Sequence, residues 1–271
     1  MNDKITRYEK AGAALEELLG IMARLRDPRS GCPWDLEQDF ASIAPHTLEE
    51  AYEVADAIAR NDREGLKEEL GDLLFQIVFY AQMAHEVDQF DFADIVQAIS
   101  AKMIARHPHV FGTAEIRSAE EQTRAWEEDK ARKRQAGGAV SALDGVTLGL
   151  PALLRAEKLQ KRAARIGFDW PEIAPVFAKV TEELSEVKEA ATPETRAEEI
   201  GDLLFACVNL ARHFSVDAEA ALRTANAKFE RRFRRMEQQV RQNGLEPGTA
   251  GLATLDAVWN QVKQEETESS R

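Results

Sequence analysis

The sequence predicts an all-α protein of two tandem modules, each like a four-helix bundle. Three observations predict it. Apolar residues recur at the helical period of 3.6 in three separate stretches. No stretch sustains the alternation of a half-buried strand, and the usual two-residue hairpin turns are missing. The chain also repeats itself, so the architecture of the first half should return in the second.

In the first half, Leu66, Leu70, Leu73, Leu74, Ile77 and Ala81 form the stripe of a helix from Leu66 to Ala84. Phe75, Val78, Phe79 and Tyr80 add apolar groups on its other sides, which predicts a central, buried helix. In the second half, Val176, Phe177, Val180, Leu184 and Val187 stripe one helix, and Phe229, Phe233, Met236 and Val240 stripe another. Such stripes bury against other helices. The repeat has four landmarks in the same order. ELGDLLF (residues 69–75) matches EIGDLLF (199–205), and EEAYEV (49–54) matches EELSEV (182–187). CPWD around Trp34 matches FDWP around Trp170, and the segment Trp126 to Lys130 matches Trp259 to Lys263. Between the halves, Lys133 to Pro151 has paired glycines, small residues and little helical periodicity, and reads as a linker. The expected organisation is an N-terminal module over 1–135, a linker over 136–150 and a C-terminal module over 151–271.

Composition narrows the function. The 271 residues are 44% hydrophobic, enough for each half to bury its own core. Forty-eight acids against 35 bases leave a net charge of −13, which argues against a nucleic-acid binder, whose phosphate contacts need a basic face. Cys32 and Cys207 form no CxxC pair, so neither a disulfide framework nor a zinc site is expected. The first residues lack the apolar core of a signal peptide, and no apolar run approaches the ~20 residues that cross a bilayer. The expectation is a soluble cytoplasmic protein with no membrane partner.

Carboxylates carry the chemistry. Glu50 and Glu53 lie three apart on one predicted helix, and Glu69 and Asp72 three apart on the next. Such pairs share a side of a helix, so two antiparallel helices can bring four carboxylates together. Glu183, Glu186, Glu199 and Asp202 repeat the pattern. A single ExxE pair is also what a solvated acidic face looks like. Two observations favour a site. Glu69 and Asp72 flank the apolar stripe, where acids repel unless a cation joins them. Gly71 and Gly201 stand inside the acid pairs, at a cost of about 1 kcal/mol each relative to alanine, which the close approach of a helix or ligand would explain. A donor set of hard oxygens, with no histidine or cysteine, favours Mg²⁺, with Mn²⁺ as the alternative. The five histidines fall outside it and read as surface or packing residues.

The ExxE…ExxD pattern with ELGDLLF resembles the MazG family of nucleoside triphosphate pyrophosphohydrolases. CPWD, TLEEAYEV, FDFADI, HPHVFG, KFERRFRRME and Trp259 extend the resemblance over nearly the whole chain, in the manner of the full-length, two-domain type. The resemblance implies the all-α NTP pyrophosphatase fold. It also implies Mg²⁺-dependent hydrolysis of nucleoside triphosphates, ATP among them, to monophosphate and pyrophosphate, and a homodimer. Broad nucleotide specificity and a role in nucleotide-pool housekeeping are the leading expectation. A pyrophosphatase for one modified or deoxy nucleotide is a second, and a silent helical adaptor a third.

A triphosphate among carboxylates also needs bases. In KFERRFRRME, Lys228, Arg232 and Arg235 form a stripe beside Phe229, Phe233 and Met236; spacing alone also fits a solvated basic face. The family match assigns Lys228 and Arg232 to catalysis with Glu183 and Glu186, and adds Arg231, Glu182 and Glu198 to the nucleotide site. Lys179, one turn before Glu183, could reach the same phosphates, and Trp259 could stack on the base, although an isolated tryptophan is more often core. In the first half the counterpart, KMIARHPHVF with Lys102 and Arg106, is cut short by Pro108. The C-terminal module is therefore expected to be the main catalytic one. The N-terminal set Glu50, Glu53, Glu69 and Asp72 offers a second metal site, and the N-terminal module is expected to be a weaker site, a regulatory nucleotide site or a dimerisation unit.

Overall fold

A computed structural model describes residues 2–113, 118–136, 138 and 140–269. Among these residues there are twelve helices and no strand. The chain forms two compact units, Met1–Trp126 and Glu127–Arg271. None of the helices is long and apolar enough to cross a membrane.

In the first unit, α1 (Asn2–Leu25), α3 (Phe40–Arg60) and α5 (Phe92–Arg106) all pack on α4 (Arg63–Glu86), with α2 (Pro33–Glu37) and α6 (Pro108–Phe111) as short turns. Local signals set the ends. Asp39 accepts hydrogen bonds from the backbone of Ala41 and Ser42, and Ser42 closes a capping box on α3. That helix stops where Asn61 turns left-handed at φ 55°, and Asp62 immediately caps α4 by accepting from Gly65 N. With two residues between them, α3 and α4 form a helical hairpin. Its core joins Met22, Ile43, Val78, Phe79 and Met83.

α4 is central, but the expectation that it is buried all round needs correction. Val78, Phe79, Ala81, Met83 and Ala84 are inside, whereas Leu70, Leu74 and Ile77 are exposed. Among the described residues, a Cβ added at Gly71 or at Gly201 would meet nothing within 4 Å.

The second unit repeats the hairpin. α9 (Ile173–Glu189) packs along α10 (Pro193–His213), capped by Thr192 with Pro193 at its first position. α8 (Ala152–Arg165) packs on α10, and α11 (Ala218–Gln242) touches both. α12 (Leu252–Ser269) covers α11 through Met236, Val240, Val258 and Val262. α7 (Ala119–Ala136) crosses the division between the units. Of the expected linker 136–150, residues 137 and 139 lie outside the described residues. Farther along it, Asp144 accepts from the backbone of Val140 and Ser141, and Arg162 of α8 donates to the carbonyls of Ala142 and Asp144. This stretch is thus laid against the second unit.

Candidate active site

The two helical hairpins bring the predicted acids together twice. In the first unit, carboxylate oxygens of Glu50, Glu69 and Asp72 lie within 4.8 Å of one another. Glu53 stands close enough to Glu50 and Glu69 to act on both carboxyls. Burial raises the Glu50 carboxyl above its usual range, and Asp72 and Glu53 push it further. Glu69 is raised by desolvation first and then by Glu53 and Asp72.

In the second unit, Glu183, Glu199 and Asp202 form the same group within 4.8 Å. Glu183 is only 4% exposed. Glu186 adjoins it and is raised by desolvation, then by its hydrogen bond to Glu183. Each set is a close array of hard oxygen donors of one charge, the electrostatic condition a divalent cation relieves.

The units differ one turn before the first acid. Lys179 Nζ lies 2.6 Å from Glu183 Oε1 and 2.8 Å from Glu182 Oε1. Hydrogen bonds to Glu182 and then Glu183 hold its ammonium far above its ordinary value. The repeat places His46 at the equivalent position, with Nδ1 3.7 Å from Glu49. A lysine charge thus compensates the second carboxylate set, whereas at the equivalent place in the first unit an imidazole pairs with Glu49, outside the set.

The other sequence-predicted residues have different surroundings. Glu182 and Glu198 are on the exposed sides of α9 and α10. On α11, Arg232 Nε donates to Glu266 at 2.7 Å, Arg231 pairs with the same glutamate at 3.2 Å, and Arg235 pairs with Glu265 at 2.6 Å. Lys228 is exposed. Trp259 packs on Phe229 at 5.3 Å and on the α11–α12 core. Within the C-terminal unit the basic stripe therefore faces α12, and neither it nor Trp259 lines the cavity beside the acids.

That cavity holds the residues sequence reasoning missed. It has a volume of about 730 Å³ and runs from Lys179, Glu183 and Asp202 to Gln160, Asn209 and Trp170. Arg212 braces one side: its Nη1 donates to Asp169 Oδ2 at 2.9 Å, and His213 Nε2 lies 3.3 Å from the same carboxylate. Leu143, from the predicted linker, closes another. One signal was available in the repeat: Phe79 on the apolar side of α4 becomes Asn209 in α10.

Comparison with known proteins decides the family. A nucleoside triphosphate pyrophosphohydrolase of Escherichia coli (strain K12) is 54% identical over 257 residues, covering 93% of this chain and 98% of that protein. The chain belongs to the MazG family of nucleoside triphosphate pyrophosphohydrolases. It is therefore a hydrolase, as the resemblance in its motifs implied. The MazG nucleotide pyrophosphohydrolase domain model matches residues 38–111, which hold the N-terminal acids on α3 and α4. A Thermotoga maritima relative, named nucleoside triphosphate pyrophosphohydrolase/pyrophosphatase MazG, is 41% identical over 255 residues, 94% of this chain and 98% of that protein. The MazG relationship thus spans both units, not the N-terminal acids alone.

Proposed function

We propose that the chain cleaves nucleoside triphosphates, ATP included, to monophosphate and pyrophosphate. The C-terminal unit is the main catalytic one, Mg²⁺ or Mn²⁺ is the cofactor, and nucleotide specificity is broad. The observation that carries this reading is the carboxylate set of the second unit, joined to a cavity large enough for a nucleotide's base. The names of the two near full-length relatives support the reaction.

Glu183, Glu186, Glu199 and Asp202 would hold the cation, and Glu50, Glu53, Glu69 and Asp72 would hold one in the first unit. When bound, divalent ions neutralise phosphate charge and make a water a better nucleophile. Glu183 and Glu186 would also orient the attacking water and take up its proton. Lys179 is held beside the acids and is the nearest donor for the phosphate tail. Lys228, Arg231 and Arg232 complete the phosphate site when a triphosphate competes with Glu266 for the two arginines.

A homodimer fits the exposed apolar faces of both hairpins: Leu70, Leu74 and Ile77 on α4, and Ile200 and Leu204 on α10. The open space over Gly71 and Gly201 lies on these same helices, where a second copy could approach closely. A cytoplasmic role in nucleotide-pool housekeeping follows from broad specificity. The test is product analysis over a panel of NTPs and dNTPs, with Mg²⁺ and with EDTA. Pyrophosphate and monophosphate are expected only with the metal; orthophosphate and diphosphate would sink the reaction class.

A further inference from the structure

We propose that the acidic end of α12 is a built-in brake on the phosphate site: Glu265 and Glu266 occupy the anion-binding positions of the α11 arginines, and a polyphosphate engages those arginines by displacing the two carboxylates. This rests on the proposed placing of Arg231 and Arg232 in the phosphate site, and adds how access to them is controlled.

Geometry is the first argument. The two oxygens of Glu266 are divided between two guanidinium groups: Oε1 accepts from Arg231 Nε at 3.2 Å, and Oε2 from Arg232 Nε at 2.7 Å. One anion bridging two guanidiniums through separate oxygens is also how a phosphoryl group meets paired arginines. Glu265 Oε2 accepts from Arg235 Nη2 at 2.6 Å and from Gln239 Nε2 at 3.1 Å. The two glutamates thus cover a row of donors along α11. The central pair is the most shielded, with the side chains of Arg232 and Glu266 only 21% and 20% exposed. Hydrogen bonds from Arg232 and then Arg231 hold Glu266 below its ordinary value of 4.5, so at neutral pH it competes as an anion.

The second argument is that docking does not need these pairs. Met236 and Val240 of α11 meet Val258 and Val262 of α12 in an apolar core, with Leu255 and Trp259 packed against it. Glu265 and Glu266 come after Val262, the last buried residue of that core. Burial of this kind holds two helices together, whereas ion pairs near the surface contribute little.

The third argument is the repeat. With Trp126–Lys130 matched to Trp259–Lys263, Glu265 and Glu266 fall opposite Arg132 and Lys133. In the first unit, the helix that carries Lys102 and Arg106 ends at Arg106, before Pro108, so the long basic stripe is missing. Where the stripe is complete, the two facing positions are acidic; where it is cut short, they are basic. The acids therefore accompany the arginines and are not a requirement of the repeated helix.

A polyphosphate tail offers several charges to the row, against one from each glutamate. Binding exchanges carboxylate contacts for phosphate contacts, and the returning carboxylates favour release of pyrophosphate after cleavage. Apparent affinity is lowered by the fraction of molecules in which the arginines are open.

Glu266→Gln and Glu265→Gln test this in the full-length protein. Glu237→Gln, which removes one charge from α11 outside the row and next to Arg241, is the control. The readouts are KM for ATP and the dissociation constant of inorganic tripolyphosphate by titration calorimetry in Mg²⁺. Both should fall about three- to tenfold in Glu266→Gln, the effect of removing one modest ion pair that holds the site closed. The fall should be smaller in Glu265→Gln, whose partner Arg235 is more exposed, and less than about twofold in Glu237→Gln. Circular dichroism checks the fold, and Glu266→Ser gives the same readouts if the glutamine variant is unstable. Unchanged or weaker binding without the Glu266 carboxylate, or equal tightening in Glu237→Gln, overturns the brake. Arg232→Ala separates the two possible failures. If it weakens tripolyphosphate while Glu266→Gln changes nothing, the brake alone is lost. If tripolyphosphate binds unchanged without Arg232, the arginines lie outside the phosphate site and both readings fall.

Discussion

The Lys179–Glu183 pair should bind stability to metal in a measurable way. The perturbation is Lys179→Met, which keeps the aliphatic stem and removes the charge. Glu183 is almost completely buried and forms an ion pair with Lys179 at 2.6 Å. Breaking a buried pair by deleting one partner costs about 3–5 kcal/mol. Lys179 is 37% exposed, so solvent screening reduces this to about 2 kcal/mol. In a unit of 145 residues (271 − 126), that corresponds to a fall of roughly 4–8 °C in melting temperature. The sign with pH is definite. A lysine whose pKa is raised on folding gives its full stabilisation below the ordinary value of 10.5 and loses it as pH climbs through the folded value. The effect is therefore complete near pH 7.5. A divalent ion among Glu183, Glu199 and Asp202 would replace the missing charge, so the loss should be full in EDTA and at least halved in Mg²⁺. Calorimetry in both conditions measures it. His46→Ala, at the equivalent exposed position of the first unit, should change little. Equal losses in EDTA and Mg²⁺ would refute the claim that Lys179 and a metal neutralise the same carboxylates.

Four further outcomes are expected. Glu186→Gln or Asp202→Asn should nearly abolish turnover while Glu53→Gln and Asp72→Asn leave most of it, with circular dichroism confirming the fold; the reverse pattern would move the active site to the first unit. Lys228→Ala or Arg232→Ala should lower kcat by ~10²–10³, the usual effect of removing one preorganised donor to developing charge. Light scattering should give twice the 30.3 kDa chain mass at micromolar concentration, and a monomer under active conditions would contradict the dimer. Finally, Glu86→Ala should destabilise the first unit by about 2–3 kcal/mol in urea titration, because it strips the buried Arg26 of its carboxylate partner. The hydrogen bond from Arg26 holds Glu86 below its ordinary value of 4.5, so this contribution is present above that value and disappears as pH falls through the lowered one.

Much of the fold was legible because helical period and acid spacing are local properties. The ExxE and ExxD pairs needed only two antiparallel helices to converge, and the short Asn61–Asp62 connection enforces that arrangement. What could not be read was which side of each helix the chain itself covers. Leu70, Leu74 and Ile77 carry a core-like period yet stay exposed, because burial depends on what packs against a stripe and not on the stripe alone. The same holds for α11, whose arginines pair with Glu265 and Glu266 on α12; a charge pattern does not name its partner. The cavity was hidden for a related reason. Gln160 and Asn209 are ordinary residues within helical segments; the repeat sets Phe79 against Asn209, but only the fold shows that both amides line a cavity. A duplicated chain carries its own control: wherever one copy keeps an apolar core and the other opens it with amides, the difference points to the copy that handles a ligand. By that measure the two acid sets, alike in spacing, differ in what stands beside them: Phe79 is buried in an apolar core, whereas its counterpart Asn209 lines a cavity. Metal binding alone would not require that difference, whereas holding a nucleotide would.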